Sequence, residues 1–310
     1  MIAKIELEYA QRCDKQWLSH ICCTIMTKCH YISCSSKTKD CIIDAINNHA
    51  SSYEKEQIKS SSAFDPTNEQ IKYMTTINLS DFNEKQCLDL FEKSSLLLIE
   101  NAPYEWDVYK QMAAAYTHDR SHGNLYKQLI QAIETKKIEP WHGGGFTQYK
   151  SLIEQKSTIF ADEVIKYKLC ALLDSDGCLI EKKDTWKAKR NIYCFLCNIE
   201  KEKFTDFELD KIYSLDQKPY IWHMWYKRAI ENYFPRKAFE DLGLDLSNYS
   251  DKEDWNYIKF KNFNYKKEQL PELSKSMSQK DYETGLQHFC IQEEDLSEIQ
   301  LLLLKLIKII

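Results

Sequence analysis

Two apolar runs that each end in a carboxylate decide the fold: Ser95-Leu96-Leu97-Leu98-Ile99-Glu100 and Leu169-Cys170-Ala171-Leu172-Leu173-Asp174-Ser175-Asp176. Short apolar runs bounded by polar residues are typical of strands that are buried on both faces, as in a parallel sheet. A third run, at residues 191–196, is predicted to be another strand. Helices are predicted around these strands at residues 84–93, 105–116 and 147–155. The alternation indicates an α/β fold with a mostly parallel sheet flanked by helices.

The composition is that of a packed globular protein. Of 310 residues, 43% are apolar and 29% are charged, and this length favours two domains over one. The net charge of -5 supplies no overall basic field, so any nucleic-acid contact must come from local Lys and Arg patches. We expect a cytoplasmic protein with no membrane segment, in which the 12 cysteines are reduced thiols.

The chain is predicted to have three regions. Residues 1–80 form a small α/β piece with a strand at 30–34 and a helix at 40–48. The polar stretch at 51–68 is predicted to be a linker or loop near its end. Residues 81–245 form the metal-binding α/β domain, and residues 246–310 form a helical extension that ends in a helix at 293–310.

Glu100, Asp174 and Asp176 are expected to lie close together. They follow two predicted parallel strands, and ligands in such sheets bind beyond the carboxyl ends of the strands. Alternate residues of an extended segment point the same way, so the two aspartates can face one side while Ser175 faces the other. Carboxylate oxygens favour Mg²⁺ or Mn²⁺, which suits phosphodiester chemistry. The alternative is that these acids are ordinary turn or helix-cap residues.

A later segment, Lys227-Arg228-Ala229-Ile230-Glu231-Asn232-Tyr233, completes a pattern of three motifs. In their order and strand context, these motifs resemble the TOPRIM nuclease domains of OLD-like phage-defence proteins and of the effector of the PARIS system. The resemblance spans Leu90 to Phe239. In that family the first Glu and the Asp-x-Asp pair bind divalent metal, and a Glu of the later segment lies near the site. The resemblance therefore implies catalytic roles for Glu100, Asp174, Asp176 and Glu231, with Mg²⁺ or Mn²⁺ as cofactor.

The segment after Glu100 departs from the family pattern. The family usually has Gly after the first Glu and an Asp nearby, whereas Asn101 follows here. Glu105 or Asp107 is expected to replace the missing acid, and Glu105 joins the predicted metal ligands. The departure also leaves open a protein that keeps the fold without nuclease activity.

The sequence contains two groups of basic residues, of which one is a candidate for contact with nucleic acid. Lys227 and Arg228 are predicted to contact the phosphate backbone, and the alternative is an ordinary helical pair of Lys227 with Glu231. Lys187, Lys189 and Arg190 are predicted to be solvated surface.

Two features of the sequence bear on partner proteins: the absence of an ATPase motif and the apolar stripe of the last helix. No phosphate-binding Gly-x-x-x-x-Gly-Lys-Ser/Thr loop is present, while OLD-like proteins usually carry an ATPase in the same or a partner chain. We therefore expect an ATPase partner, and residues 1–80 are a candidate docking region. A stripe in the last helix is expected to pack in the core, in a homo-oligomer or against a partner; it consists of Leu296, Ile299, Leu303, Ile307 and Ile310.

The predicted function is a metal-dependent nuclease that cleaves DNA or RNA as the toxic effector of an anti-phage system. One alternative is a noncatalytic TOPRIM-fold subunit that binds and regulates an ATPase partner. Another is a metal-dependent phosphotransfer or primase-like enzyme.

Overall fold

The structure, a computed structural model, describes residues 1–59, 63–157, 160, 162–179, 186–247, 255–260, 265–275, 277–283 and 286–310. The chain divides into two compact units that are discontinuous in sequence. Unit 1 contains Met1–Ser95, Ser157–Lys168 and Ile307–Ile310, and unit 2 contains Leu96–Lys156 and Leu169–Leu306. The predicted region 1–80 lies within unit 1, whereas the predicted range 81–245 is divided between the units.

The strands are numbered along the chain. They are β1 (Ile2–Ile5), β2 (Tyr31–Cys34), β3 (Thr76–Asn78), β4 (Ser95–Ile99), β5 (Ile138–His142), β6 (Leu169–Leu173), β7 (Ile221–Met224), β8 (His288–Ile291) and β9 (Glu294–Ser297).

The α-helices are numbered in the same way. They are α1 (Leu7–Arg12), α2 (Lys15–Thr27), α3 (Ser36–His49), α4 (Ser52–Ile58), α5 (Asn68–Tyr73), α6 (Glu84–Glu92), α7 (Ala102–Ala115), α8 (Gly123–Glu134), α9 (Tyr149–Ser157), α10 (Asp162–Lys168), α11 (Trp186–Leu196), α12 (Leu209–Ile212), α13 (Arg236–Asp241), α14 (Leu270–Ser274), α15 (Gln279–Glu283) and α16 (Glu298–Ile309).

Unit 1 is a small α/β unit, as predicted. Its parallel sheet has the order β2-β1-β3, and β1 pairs with both neighbours. Several helices of unit 1 begin with a side-chain cap. In such a cap the side-chain oxygen of Ser, Thr or Asn accepts a hydrogen bond from a backbone amide of the first turn, which has no partner inside the helix. Ser35 accepts from the backbone of Thr38 at the start of α3, and Ser51 and Glu54 form a reciprocal capping box at the start of α4.

The polar stretch at 51–68 is therefore not the boundary between the units. Helix α4 lies inside it, and the stretch belongs to unit 1. Ser51 caps this helix, a role that polarity alone does not reveal. Residues 60–62 of this stretch lie outside the described residues.

Unit 2 contains a four-stranded sheet in the order β5-β4-β6-β7. Strands β4, β6 and β7 are mutually parallel, with Leu97 opposite Cys170 and Ala171 opposite Trp222. Every residue of these three strands is buried, which explains their continuous apolar sequences. The predicted parallel sheet flanked by helices is thus confirmed, and the carboxyl ends of β4 and β6 lie side by side.

The predicted strand at 191–196 is wrong, because these residues end helix α11. Lys189, Ile192, Tyr193 and Leu196 are buried while Asn191 is exposed, which is helical spacing. A short apolar run does not distinguish a strand from a buried helix face. The third parallel strand is β7, in the aromatic stretch after Pro219.

The C-terminal region is less helical than predicted. The last helix begins at Glu298 and not at residue 293, because β8 and β9 form an antiparallel hairpin directly before it. Leu296 of the predicted stripe lies in β9 and not in the last helix, and all five residues of the stripe are buried. Residues 248–254 and 261–264 of this region lie outside the described residues. Among the described helices, none is long and apolar enough to cross a membrane.

Candidate functional site

Four of the predicted acids line one cavity in unit 2. Glu100 follows β4, Asp174 and Asp176 follow β6, and Glu231 lies in a short 3-10 turn at Ile230–Tyr233. The cavity has a volume of about 330 Å³. Its lining consists of Glu100, Asp174, Asp176, Arg228, Ala229, Glu231, Ile258, Lys259, Phe260, Tyr265 and Lys267.

A tight turn presents both aspartates to the cavity. Asp176 has a φ of 53°, a left-handed conformation that Asp tolerates better than most residues. The buried Ser175 hydroxyl donates to the Lys227 carbonyl at 2.7 Å, and the Asp176 amide donates to the Arg228 carbonyl at 2.9 Å. Ser175 therefore faces the protein while its neighbours line the cavity, as predicted, although the cause is this turn and not an extended backbone.

Helix α7 positions Glu105 beside the site. Asn101 precedes the helix without a side-chain cap, and Pro103 lies in its first turn, where a missing amide is tolerated. Glu105, also in the first turn, is buried, and its Oε1 lies 3.5 Å from Lys267 Nζ. Asp107 instead pairs with Lys110 and keeps 48% of its side chain exposed. Of the two replacement acids considered, the structure brings only Glu105 to the site.

The turn that carries Glu231 is held by Asn232. The Ala229 amide donates to Asn232 Oδ1 at 3.0 Å, and Asn232 Nδ2 donates to the Trp255 carbonyl at 2.7 Å. Glu231 keeps only 5% of its side chain exposed, and its Oε1 lies 3.9 Å from Lys267 Nζ. Among the described residues its Oε2 has no hydrogen-bond partner. An orphaned buried carboxylate oxygen is costly and calls for a ligand or water.

A buried network supports the same turn. Glu298, at the start of α16, accepts from the Tyr226 amide at 2.7 Å and from the Tyr233 hydroxyl, and lies 3.1 Å from His223 Nε2. Burial lowers the pKa of His223 to about 4. The neutral imidazole and the Tyr233 hydroxyl therefore solvate the Glu298 carboxylate, and the network fixes the chain on both sides of Arg228.

Lys189 was not predicted as a site residue, yet it lies at the centre of the site. Its side chain is 0% exposed, and its Nζ lies 3.1 Å from Asp176 Oδ2 and 3.5 Å from Glu100 Oε1. It also donates to the Asp174 carbonyl and lies 3.6 Å from the centroid of the Phe146 ring. The prediction that Lys189 is solvated surface is wrong. Reading residues 186–196 as a helix would have placed this lysine on the apolar face, the one sequence signal for its burial.

Lys267 is the second cation that sequence reasoning missed. It lies on a 3-10 turn, Lys267–Gln269, and keeps 39% of its side chain exposed. Burial lowers its pKa, but the charges of Asp174, Glu231, Glu105 and Glu100 together outweigh burial and raise it above the usual value. No local pattern in the sequence distinguishes Lys267 from its neighbour Lys266.

The carboxylates are short of positive charge. Burial, followed by the charge of Asp174, raises the pKa of Glu100 to about 7 and that of Glu105 to about 8. Burial also raises the pKa values of Asp174 and Glu231. Clustered buried acids of this kind are typical of functional sites, where a bound cation relieves the repulsion.

The donor set fits a hard divalent cation. Five carboxylates share two lysine ammonium groups, and the orphaned Glu231 Oε2 adds an unused oxygen donor. Among the described residues, no three His, Cys, Asp or Glu side chains surround one point as ion ligands. The carboxylates are instead arranged around Lys189 and Lys267, so these are the groups with which a cation would compete.

The two predicted nucleic-acid contacts differ. Arg228 lines the cavity, whereas Lys227 is buried and is not among the lining residues. The Lys227 ammonium donates to the Asn232 carbonyl at 3.2 Å and lies over the Tyr233 ring. The structure therefore places Lys227 inside the turn. Among the residues that the structure describes, the basic side chains that line the cavity are Arg228, Lys259 and Lys267.

Comparison of the chain with protein-family models, with curated proteins and with solved structures gives no match.

Proposed function

We propose that the chain is a divalent-metal-dependent nuclease of the TOPRIM type, acting on the phosphodiesters of DNA or RNA. The supporting observation is that acids from three distant stretches of sequence, residues 100, 174 with 176, and 231, line one cavity beyond the strands of a parallel sheet. Glu105 lies beside them, in contact with Lys267. Bound Mg²⁺ or Mn²⁺ would supply Lewis acidity at a phosphoryl oxygen.

The remaining lining residues suit a phosphate backbone. Arg228 and the exposed Lys259 present positive charge beside the acids, and phosphate contacts come mainly from such side chains. Local charge of this kind allows nucleic-acid binding despite the net charge of -5.

A role as the toxic effector of an anti-phage system and an ATPase partner stay predictions from the resemblance. A second candidate function, a noncatalytic subunit that regulates an ATPase, is favoured by one observation. Lys189 and Lys267 already contact the acids, as expected of a site that has exchanged metal for protein cations.

Cleavage assays distinguish the two candidates. The full chain is incubated with supercoiled plasmid or with tRNA in Mg²⁺ or Mn²⁺, alongside Asp174→Asn, Glu231→Gln and the matched control Asp107→Asn. The nuclease proposal expects cleavage by the wild type and the control, and loss of cleavage in the other two variants. If neither substrate is cut, even with a candidate ATPase present, the noncatalytic function replaces it.

A further inference from the structure

The two lysines of the site differ in how firmly they are held. Lys189 extends from α11, has no exposed surface, and is enclosed by Phe146, by two carboxylates and by the Asp174 carbonyl. Lys267 extends from a three-residue turn, keeps 39% of its side chain exposed, and its nearest carboxylate contacts are 3.5 and 3.9 Å long. An incoming cation can therefore displace Lys267 into solvent but not Lys189.

The unused donors lie on the Lys267 side. Glu231 Oε2 and the Tyr265 hydroxyl are buried without a hydrogen-bond partner among the described residues, and both residues line the cavity. Glu231 is also one of the two carboxylates next to Lys267. Glu100 and Asp176, in contrast, already share the Lys189 ammonium. The site thus has one satisfied cation position and one that is incompletely satisfied.

We propose that the site binds one divalent cation, which displaces the Lys267 ammonium and is held by Glu105, Glu231 and Asp174, while Lys189 remains as the second positive charge. The inference rests on the proposed function, since it assigns the metal positions of that site. It changes the ligand set predicted from the sequence: Glu231 joins Glu105 and Asp174, while Glu100 and Asp176 become partners of Lys189. The displaced Lys267 joins Arg228 and Lys259 at the cavity, where all three can contact a phosphate.

Counting bound Mn²⁺ tests the inference. The full chain is dialysed against Mn²⁺, and free ion is measured by its electron paramagnetic resonance signal. One ion per chain is expected for the wild type. Lys267→Met should still bind one ion, about tenfold more tightly, because the ion no longer competes with an ammonium group. Lys266→Met, directly before the same turn and absent from the cavity lining, is the matched control and should bind as the wild type does.

Three further variants separate the ligand sets. Glu231→Gln should weaken Mn²⁺ binding by about tenfold or more, whereas Glu100→Gln should change it by less than about threefold. Lys189→Met should raise the count to two ions, because Glu100 and Asp176 lose their resident cation. Circular dichroism checks that this buried substitution folds, and the other measurements do not depend on it.

The inference is overturned by two ions per wild-type chain, by no Mn²⁺ binding at all, or by weaker binding in Lys267→Met. Absence of binding would overturn the metal-dependent nuclease as well, whereas the other two outcomes are distinct from failure of the proposed function. One bound ion without cleavage of any substrate supports the inference and overturns the nuclease, and cleavage with two bound ions does the reverse.

Discussion

The two parallel sheets differ in the fate of the polar residues that follow their strands. In unit 1 these residues are satisfied locally: Glu6 after β1 pairs with Lys4 at the half-exposed surface, and Ser35 after β2 caps α3. In unit 2 Glu100 follows β4 and Asp174 and Asp176 follow β6, and Asn101 does not cap α7. The same position in a strand-helix repeat thus serves as a cap in one sheet and as part of an acid cluster in the other.

The difference shows what distinguishes a cap from a site. A cap residue finds its hydrogen-bond partner within three residues, stays near solvent and has an ordinary or lowered pKa, as Glu54 does through its bonds to Ser51. A site residue finds its partners far along the chain, as Glu100 finds Lys189 and Glu105 finds Lys267. Burial together with a distant partner therefore distinguishes Glu100 and Glu105 from the capping residues.

Substitution of a central acid is expected to have the largest effect. Asp174→Asn removes a charge that acts on both lysines, so nuclease activity should fall by about a thousandfold or more. The melting temperature should stay equal or rise, because the remaining buried carboxylates repel one another less. Cleavage rates in Mg²⁺ and thermal unfolding in EDTA provide the two measurements. Full activity in this variant would place Asp174 with the ordinary turn residues.

The pH dependence of stability should have opposite signs in the two units. The folded-state pKa of Glu105, about 8, exceeds its ordinary value of 4.5, so its contribution is lost as pH rises through that window. Glu54 has a lowered pKa, so its contribution is lost as pH falls.

Urea unfolding in EDTA between pH 5 and 8.5 measures this effect. Relative to Glu105→Gln, the wild type should lose on the order of 3 kcal/mol across the range. Added Mg²⁺ should reduce the loss. Parallel curves for the two proteins would contradict burial of a titrating acid at this position.

Removal of a cap in unit 1 should lower stability alone. Ser35→Ala deletes the acceptor for the Thr38 amide and should reduce the free energy of unfolding by about 1 kcal/mol. Mn²⁺ affinity and cleavage should match the wild type within error. A change in Mn²⁺ affinity would show that the polar residues after the strands of the two sheets are not functionally separate.

The smallest effect is expected at Asp107. This exposed acid lies two residues from Glu105 on the same helix and pairs only with Lys110 among the contacts described. Exposed ion pairs contribute little, so Asp107→Asn should change the free energy of unfolding by less than about 0.5 kcal/mol. Mn²⁺ affinity should match the wild type in Asp107→Asn and fall in Glu105→Gln. The difference between the two variants measures how far the metal site extends along α7.

The sequence predicts those parts of the molecule that local pattern determines. The runs ending at Glu100 and Asp174 are strands because four or five consecutive apolar residues suit burial on both faces. Their carboxyl ends meet because parallel strands share an edge, so the convergence of these acids was predictable. Helix α11 was mistaken for a strand because an apolar run of five residues, 192–196, carries no decisive period.

The cations of the site could not be predicted in the same way. Lys189 reaches Glu100 across 89 positions and Lys267 reaches Glu105 across 162, and such pairings depend on the whole fold. Replacement of the predicted strand at 191–196 by β7 also moved the third strand to the segment just before the Glu231 turn. The positions of the acids can be predicted from the strands that they follow, whereas the lysines that neutralise them are known only from the tertiary structure.

The buried hydrogen-bond network of Glu298 limits which substitutions this site can accept in evolution. Its carboxylate joins His223 of β7 and the Tyr233 hydroxyl to the last helix, 65 to 75 positions away in sequence. Loss of any one member leaves a buried polar group without its partner, so single substitutions should be selected against. In descendants of a common ancestor these three positions should change together or remain fixed. They offer a search signature that is independent of the acids themselves, and it can recognise relatives whose site has lost its charge.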